Sequence, residues 1–275
     1  MPGIALPGIA AAADLAVPPP APNWVPAADA YPGRYTPGAS EWIVTLGGEA
    51  RAVPAWPGAP TSLYQFTGNP LMSIRSVDSA PTYFGAKDSF GVQLYSIGGF
   101  RVGAAFNYVS PRYSSQYSQL AGLSNVNMAG QAGGYAEYWA VPWLRLRGEV
   151  RQGFFGETGV TGNLLLDAVV PVGNWRFDGG PRLTAQTTQA IAPYFNTPAT
   201  WPLGAYSATG GFYSYGAGGQ VEYFWTRQWQ THAFVEWERL TGSAANSPLV
   251  TQRGSPNQLT FGVGGTYSFN MKPLW

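Results

Sequence analysis

The residues of this chain best suited to chemistry are a single histidine and a carboxylate that follows it at short range. His232 is the only histidine, and Glu236 lies four residues later in the same alternating phase. A Ser-His-Glu arrangement of the kind used by barrel hydrolases could be built on this pair. Those enzymes direct their nucleophile outward to lipid, whereas His232 falls in the charged phase, beside a short connection at 226–228. We therefore expect a structural histidine and no enzymatic activity.

Other kinds of site have little support in the sequence. There is no Gly-rich phosphate loop, no group of histidines at metal-ligand spacing and no basic-aromatic stripe. The chain has no cysteine, which excludes disulfides and thiolate metal sites. A net charge of +1 provides no electrostatic basis for a nucleic-acid partner. We expect no cofactor, no metal and no nucleic acid.

Charged residues recur in one phase of many segments that alternate with a period of two. Leu144, Leu146 and Val150 share one phase, while arginines and glutamates occupy the other. We predict an inward-facing charge network of Arg51, Arg101, Glu137, Arg145, Arg147, Glu149, Arg151, Asp167, Arg176, Asp178, Glu222, Glu236 and Glu238. With Arg75, Arg182, Glu41 and Glu49, the inward phase carries eight basic and nine acidic residues.

This near balance of charge predicts how the interior is filled. Side chains fill barrels of about eight strands, whereas barrels of about sixteen strands have an open channel. Ion pairs between the inward-facing residues can close a barrel of intermediate size. We expect a cross-linked, mostly occluded interior, and the alternative is a narrow, weakly selective pore.

The elements that must position these residues are β-strands. Residues 231–240 and 258–269 alternate cleanly, and Leu259, Phe261 and Val263 share one face opposite small or polar residues. A soluble sandwich would carry charge on its outer face. The last strand instead ends in aromatic residues, as strands of outer-membrane barrels commonly do. We interpret the two faces as lipid-facing and lumen-facing.

Composition agrees with a membrane barrel. Only 11% of residues are charged, against about 25% in ordinary soluble domains. No stretch approaches the roughly 18 consecutive apolar residues of a spanning helix. The 36 glycines, 24 prolines and 41 aromatic residues suit strands, turns and interfacial girdles.

The pattern predicts an all-β fold, a transmembrane antiparallel up-and-down β-barrel of about twelve strands. Two weak strands near 61–67 and 71–77 are separated by a turn at Gly68-Asn69-Pro70. An even strand number places both termini on the side of the tight turns, near 68, 98, 141, 173 and 227. The longer loops, after residues 53, 78, 109, 186 and 241, fall on the opposite side.

The predicted domain organisation has four parts. Residues 1–13 are apolar and end in small residues before Asp14, as the remnant of a signal peptide would. Residues 14–40 hold a proline-rich periplasmic linker of extended backbone. The barrel covers residues 41–269, and residues 270–275 form a short C-terminal tail.

The final hairpin carries a recognisable motif. A strand ends in Arg239-Leu240, the loop contains Ser247-Pro248 and Arg253-Gly254, and the last strand opens at Gln258 and ends in Tyr267-Ser268-Phe269. This run resembles the final hairpin of the MipA/OmpV family of Gram-negative outer-membrane proteins. Residues 54–58, 120–123 and 194–195 are weaker echoes. The chain departs from the family pattern at Asn196, where a Gly is expected, and in continuing past Phe269.

The resemblance implies a location in the outer membrane of a Gram-negative bacterium and a role in organising the envelope. Members of the family are described as scaffolds that join a murein lytic transglycosylase to a peptidoglycan synthase, and others as porin-like or adhesive surface proteins. We expect outer-membrane lipid and these two enzymes as partners. A porin-like channel and a surface adhesin remain alternatives.

Overall fold

The computed structural model describes residues 42–76, 83–226 and 228–272. The predicted signal-peptide remnant and the predicted linker lie outside the described residues, as do Glu41, residues 77–82, Arg227 and residues 273–275. Eleven strands form a closed barrel within them. The strands are β1 (Trp42–Pro54), β2 (Tyr64–Ser76), β3 (Phe90–Ile97), β4 (Phe100–Val109), β5 (Ala129–Val141), β6 (Leu144–Phe155), β7 (Val160–Val172), β8 (Trp175–Gln186), β9 (Gly211–Phe224), β10 (Trp229–Leu240) and β11 (Asn257–Met271).

The predicted fold class is confirmed, with eleven strands where about twelve were expected. Each strand pairs antiparallel with its sequence neighbour except β2 and β3, and β1 pairs antiparallel with β11. β11 extends to Met271, which pairs with Trp42, so the last strand runs two residues past the expected end of the barrel.

The predicted turn at Gly68-Asn69-Pro70 is wrong, because β2 runs through it. Asn69 pairs with Glu49 and Pro70 with Gly48 in one unbroken register with β1. Glycine and proline resemble a turn in the sequence, but a strand with a free edge also accepts a proline, which has no N–H to donate. The two weak strands of the prediction are therefore one strand.

The connection before β3 was predicted as an outer loop, and this prediction is also wrong for its described part. β2 and β3 are parallel, with Ser73 beside Gly91, so β3 begins part-way along the wall and runs toward the same barrel end as β2. Residues 83–89, which we call the inner segment, lie inside the lumen against side chains of several strands. Because of this parallel pair, a barrel with an odd number of strands can close with the start of β1 and the end of β11 at the same end of the barrel.

The outer surface is apolar, as a lipid-facing wall requires. Val150 is 61% exposed and Val263 59% exposed although both lie in the middle of strands. Exposed aromatic residues collect near the tight turns, and they include Trp143, Trp175, Trp225 and Trp229. Such a ring is typical of the membrane–water interface of barrels.

The two ends of the barrel differ in the length of their connections. Tight turns lie at 98–99, 142–143 and 173–174, and Gly98 and Gly173 adopt positive φ there (55° and 59°). The other end carries long loops with three helices, α1 (Thr188–Phe195), α2 (Gly242–Ala245) and α3 (Pro248–Arg253). None of the helices in the described residues is long and apolar enough to cross a membrane.

Candidate functional site

The lumen contains all thirteen residues of the predicted charge network. They lie on β1, β4 to β10, in the phase opposite to the exposed apolar side chains. Most are buried, and Arg145, Asp167 and Glu222 are fully so. Arg51, Arg101 and Glu238 keep partial exposure. The charged side chains in the middle of this interior are therefore shielded from bulk solvent.

Arg145 is the centre of the network. Its guanidinium donates from Nε to Glu137 at 2.8 Å, and it also contacts Asp167 at 2.9 Å and Asp88 at 2.5 Å. Asp88 belongs to the inner segment, so this one arginine joins β5, β7 and the inner segment. A fully buried cation needs such partners, because leaving it unpaired costs several kcal/mol.

Other ion pairs extend from this centre along the barrel wall. Arg101 contacts Glu137 at 3.0 Å, and Arg147 contacts Glu149 at 2.6 Å. Arg151 pairs with the same Glu149. The Glu149 pairs lie within β6, whereas Glu137 on β5 receives Arg101 of β4 and Arg145 of β6 and so cross-links β4 to β6 on their inner face.

The opposite wall carries a second set of pairs. Arg182 contacts Asp167 at 2.7 Å and Glu236 at 3.4 Å. Arg176 pairs with Glu222. Asp178, 9% exposed, lies on the same strand as Arg176 and Arg182. The two sets meet at Asp167, which receives both Arg145 and Arg182.

The inner segment fills space between these walls. The ring of Tyr83 lies under the guanidiniums of Arg145 (4.5 Å) and Arg176 (4.9 Å). The Ser89 hydroxyl donates to Glu149 at 2.7 Å. Lys87 pairs with Glu238. In the sequence this stretch resembles a loop, and the charged Lys87-Asp88 pair directly before β3 is the only local feature that could have indicated its place in the lumen.

His232 is satisfied by a partner other than the one the sequence suggested. Its Nε2 lies 2.9 Å from Glu49 on β1, and Glu49 also pairs with Arg51. Glu236 instead contacts Arg182. The His232–Glu236 arrangement considered for catalysis is thus not formed. The described residues also contain no group of three or more His, Asp or Glu side chains placed to hold a metal ion.

The long loops pack together into a lid at the end of the barrel opposite the tight turns. One hydrophobic cluster joins Ile191, Phe195 and Val250 to Leu240, the last residue of β10 at the lid end of the barrel. A second cluster joins Trp56, Leu120, Trp201 and Leu249. The loops therefore have their own core, built from four different connections.

Most residues of the family motif hold this lid. The Gln258 side chain accepts from the Gly58 N–H at 3.0 Å and donates to the Ala59 carbonyl at 3.2 Å. The Ser247 hydroxyl donates to the Phe195 carbonyl at 2.8 Å, and Pro248 opens α3. A Cβ on Gly254 would lie 1.9 Å from the Gly58 oxygen, so only glycine fits there.

The remaining motif residues divide between lid and wall. Arg253 donates to the Gln119 carbonyl at 3.0 Å and stacks on Trp201, while Leu240 belongs to the first cluster. On the outer wall Arg239 donates to Asn257, and the Tyr267 ring stacks on Phe269 and contacts Trp229 at a tilt. The motif could be recognised in the sequence, but its role in packing the loops could not.

Arg112 is the most deeply placed cation of the lid. It is 3% exposed and donates to the carbonyls of Tyr194 (2.6 Å), Ser124 (2.8 Å) and Pro193 (3.3 Å). No carboxylate in the described residues forms an ion pair with it, and its Nε has no hydrogen-bond partner there. Burial lowers the pKa of Arg112 to about 10, and the group stays charged at neutral pH.

Comparison with solved structures gives matches at low identity and low TM-score. A bacterial polysaccharide outer membrane secretin is 11% identical, with 84% of this chain and 98% of that chain covered and a TM-score of 0.39. An outer membrane channel from Pseudomonas putida F1 is also 11% identical, with 87% and 99% covered and a TM-score of 0.37. No curated protein matches the chain. A family model described as MltA-interacting protein MipA matches residues 46–269, well over half of the sequence, and the chain therefore belongs to the MipA family, as an outer-membrane β-barrel protein.

Proposed function

We propose that this chain is an outer-membrane scaffold that binds a murein lytic transglycosylase on its periplasmic side and links it to a peptidoglycan synthase. The description of the matching family model names an interaction of this kind. The observation that carries the proposal in this molecule is the interior, where ion pairs and the inner segment occupy the space that a channel would need.

The filled lumen favours a scaffold over a porin-like channel. A conducting pore of this size needs a continuous wet path, yet Arg145 and Asp167 are both fully buried at the centre. Opening a path would separate buried charges, and removing one partner of such a pair costs about 3–5 kcal/mol. The pairing therefore holds the interior shut.

The packing of the lid favours the scaffold over a surface adhesin. Large apolar side chains of the loops, such as Trp56, Trp201 and Phe195, are at most 3% exposed. Large contiguous apolar patches on a surface often mark a site that binds another protein. In this protein those side chains stabilise the lid itself, and the periplasmic side remains for docking.

The binding test compares the two sides of the membrane. Purified full-length protein in detergent is measured against a purified lytic transglycosylase of the MltA type, beside a deletion of residues 15–40 and an outer-face variant, Tyr113→Ser with Met128→Ser. Both substituted side chains are exposed on the lid, at 39% and 56%. We expect the deletion to weaken binding and the outer-face variant to leave it unchanged.

Two results would contradict the scaffold. Weaker binding in the outer-face variant alone would move the partner site to the loops, and absence of binding by every form would leave the channel and adhesin alternatives ahead. Single-channel recording on the refolded protein separates these further. We expect little steady conductance, whereas a large stable conductance would favour the channel.

A further inference from the structure

Within the described residues, the wall of the closed barrel has its shortest pairing between β2 and β3, which leaves part of the β2 edge facing β4 uncovered. Only Ser73 and Ile74 of β2 pair with β3, and they pair with Gly91 and Val92 at its start. Within the described residues, no strand pairs with residues 64–72 on that side of β2. The other neighbours in the wall pair over long stretches, as β1 and β2 do over thirteen residues.

The gap lies in the half of the wall near the lid. β2 runs from Tyr64 at the lid end, and β3 starts only at Phe90, opposite Phe106. β4 continues beyond this level through residues 107–109, which pair on their other side with β5. Phe66 on the unpaired stretch is 86% exposed. Pro70 also lies on this stretch, and because proline has no backbone N–H it leaves no donor unpaired there.

A cavity of about 360 Å³ connects this gap with the lumen. Gln65, Thr67 and Gly68 line it from β2, while Asn107 and Tyr108 line it from β4. The inner end is formed by side chains of β1, β10, β11 and the lid, among them Arg51, Glu238, Thr260 and Arg112. Because Gly68 and Tyr108 belong to the outward phase, the cavity reaches the lipid-facing surface.

The lining of the cavity indicates an amphiphilic ligand. Its volume falls at the lower end of the roughly 300–1,000 Å³ of small-molecule sites, enough for a head group and too small for a two-chain lipid. Arg51 is balanced by Glu49 and Glu238 by Lys87. Arg112 is the lining cation without a carboxylate partner in the described residues, and its Nε is unpartnered. The net charge offered to a ligand is therefore positive.

We propose that the gap between β2 and β4 is a lateral opening through which the cavity takes the anionic head group of a single-chain amphiphile from the outer leaflet, with its acyl chain left in the membrane. A carboxylate or phosphate head would accept from Arg112 and from the amides of Gln65 and Asn107. The chain would lie along the unpaired edge of β2. This site is separate from the periplasmic docking surface, so either proposal can fail alone.

Blocking the opening tests the proposal. An added Cβ at Gly68 would lie 4.0 Å from the Glu49 backbone oxygen, so a large side chain fits there and covers the gap. Gly48 on the neighbouring β1 is a matched control, since its nearest contact is the Asn69 oxygen at 3.8 Å and it does not line the cavity. We expect Gly68→Trp to weaken oleate binding at least about tenfold, equivalent to ~1.4 kcal/mol, and Gly48→Trp to leave it unchanged.

A second measurement does not depend on a bulky substitution. The chain has no cysteine, so Gly68→Cys and Gly48→Cys can each be labelled with one environment-sensitive fluorophore. In neutral detergent, oleate should shift the emission at position 68 and leave position 48 unchanged. Heat-dependent electrophoretic mobility confirms that each variant is folded.

Three outcomes would overturn the proposal. Equal oleate affinity of folded Gly68→Trp and wild type would show that the gap is not the entrance. Equal emission shifts at both labels would mean general partition into the micelle. Monoolein, which has the same chain and a neutral head, should bind at least about tenfold more weakly, and equal affinity would exclude the anionic head group.

Discussion

Replacing Arg145 tests whether the ion-paired lumen stabilises the barrel. Arg145→Gln removes contacts to Glu137, Asp167 and Asp88, all within 3.2 Å of its guanidinium. Those carboxylates do not lose every partner, because Glu137 retains Arg101 and Asp167 retains Arg182. We therefore expect a loss of about 3 kcal/mol in the free energy of unfolding, the lower end of the ~3–5 kcal/mol found when one member of a buried pair is removed.

The matched control is an arginine on the outer wall. Arg239 is exposed and bonds only Asn257 among the described residues. Exposed polar contacts of this kind contribute about 0–1 kcal/mol, so Arg239→Gln should change the free energy of unfolding little. The comparison separates burial from the general effect of losing a positive charge.

The assay is reversible urea unfolding in lipid vesicles, followed by the fluorescence of the eleven tryptophans. A double variant with Asp88→Asn isolates the contact to the inner segment. If that contact forms, the double variant should lose less than the sum of the single losses, by roughly 0.5–3 kcal/mol. Equal losses for Arg145→Gln and Arg239→Gln, or strict additivity with Asp88→Asn, would refute the reasoning.

Three further predictions concern the wall and the lid. Val150→Arg, in mid-strand, should cost about 2–4 kcal/mol in vesicle unfolding, while Val172→Arg at a strand end should cost only ~0–1 kcal/mol; equal costs would count against the lipid-facing assignment. Gln258→Leu should leave four hydrogen bonds of the lid unmade and raise protease cleavage in the loops while the barrel stays folded; unchanged cleavage would contradict the role assigned to this side chain. Glu157 lies in the connection between β6 and β7, which donates from the Gly156 N–H to the Met128 carbonyl of the lid, and its carboxylate accepts from Gln131. Burial raises the pKa of Glu157 above its ordinary 4.5, although Gln131 and Arg151 oppose this. A carboxyl whose pKa is raised on folding contributes stability at pH values below its unfolded pKa, and this stability is lost as the pH rises through its folded pKa. Glu157→Gln should therefore protect the lid from proteolysis more as the pH rises from acid to neutral. Protection that does not change with pH would exclude the titration of Glu157 as the cause.

The amino-acid sequence by itself determined which way side chains face. In a strand the side-chain period is two, so a run such as Leu146-Arg147-Gly148-Glu149-Val150 assigns its charges to one side whatever the neighbouring strands are. An uncharged, apolar outer phase then requires lipid outside and a polar lumen inside. The tight turn at Gly98-Gly99 is equally local, since the positive φ of Gly98 needs no tertiary contact.

Strand number and connectivity depended on longer-range pairing. Gly68-Asn69-Pro70 resembles a turn on local grounds, and only the continuous register with β1 makes it part of β2. The inner segment has the composition of a loop. Its place in the lumen follows from buried carboxylates and guanidiniums that need partners, and those partners come from strands that are distant in sequence.

The tertiary structure alone decided which charges meet. His232 pairs with Glu49, which lies 183 positions away, rather than with Glu236 four residues on, because β10 and β1 both flank β11. The lid residues Gln258 and Ser247 and the gap between β2 and β4 likewise exist only once the sheet has closed. Alternation is a property of a single strand, whereas pair identity, lid packing and wall continuity depend on how many strands close the barrel and in which register.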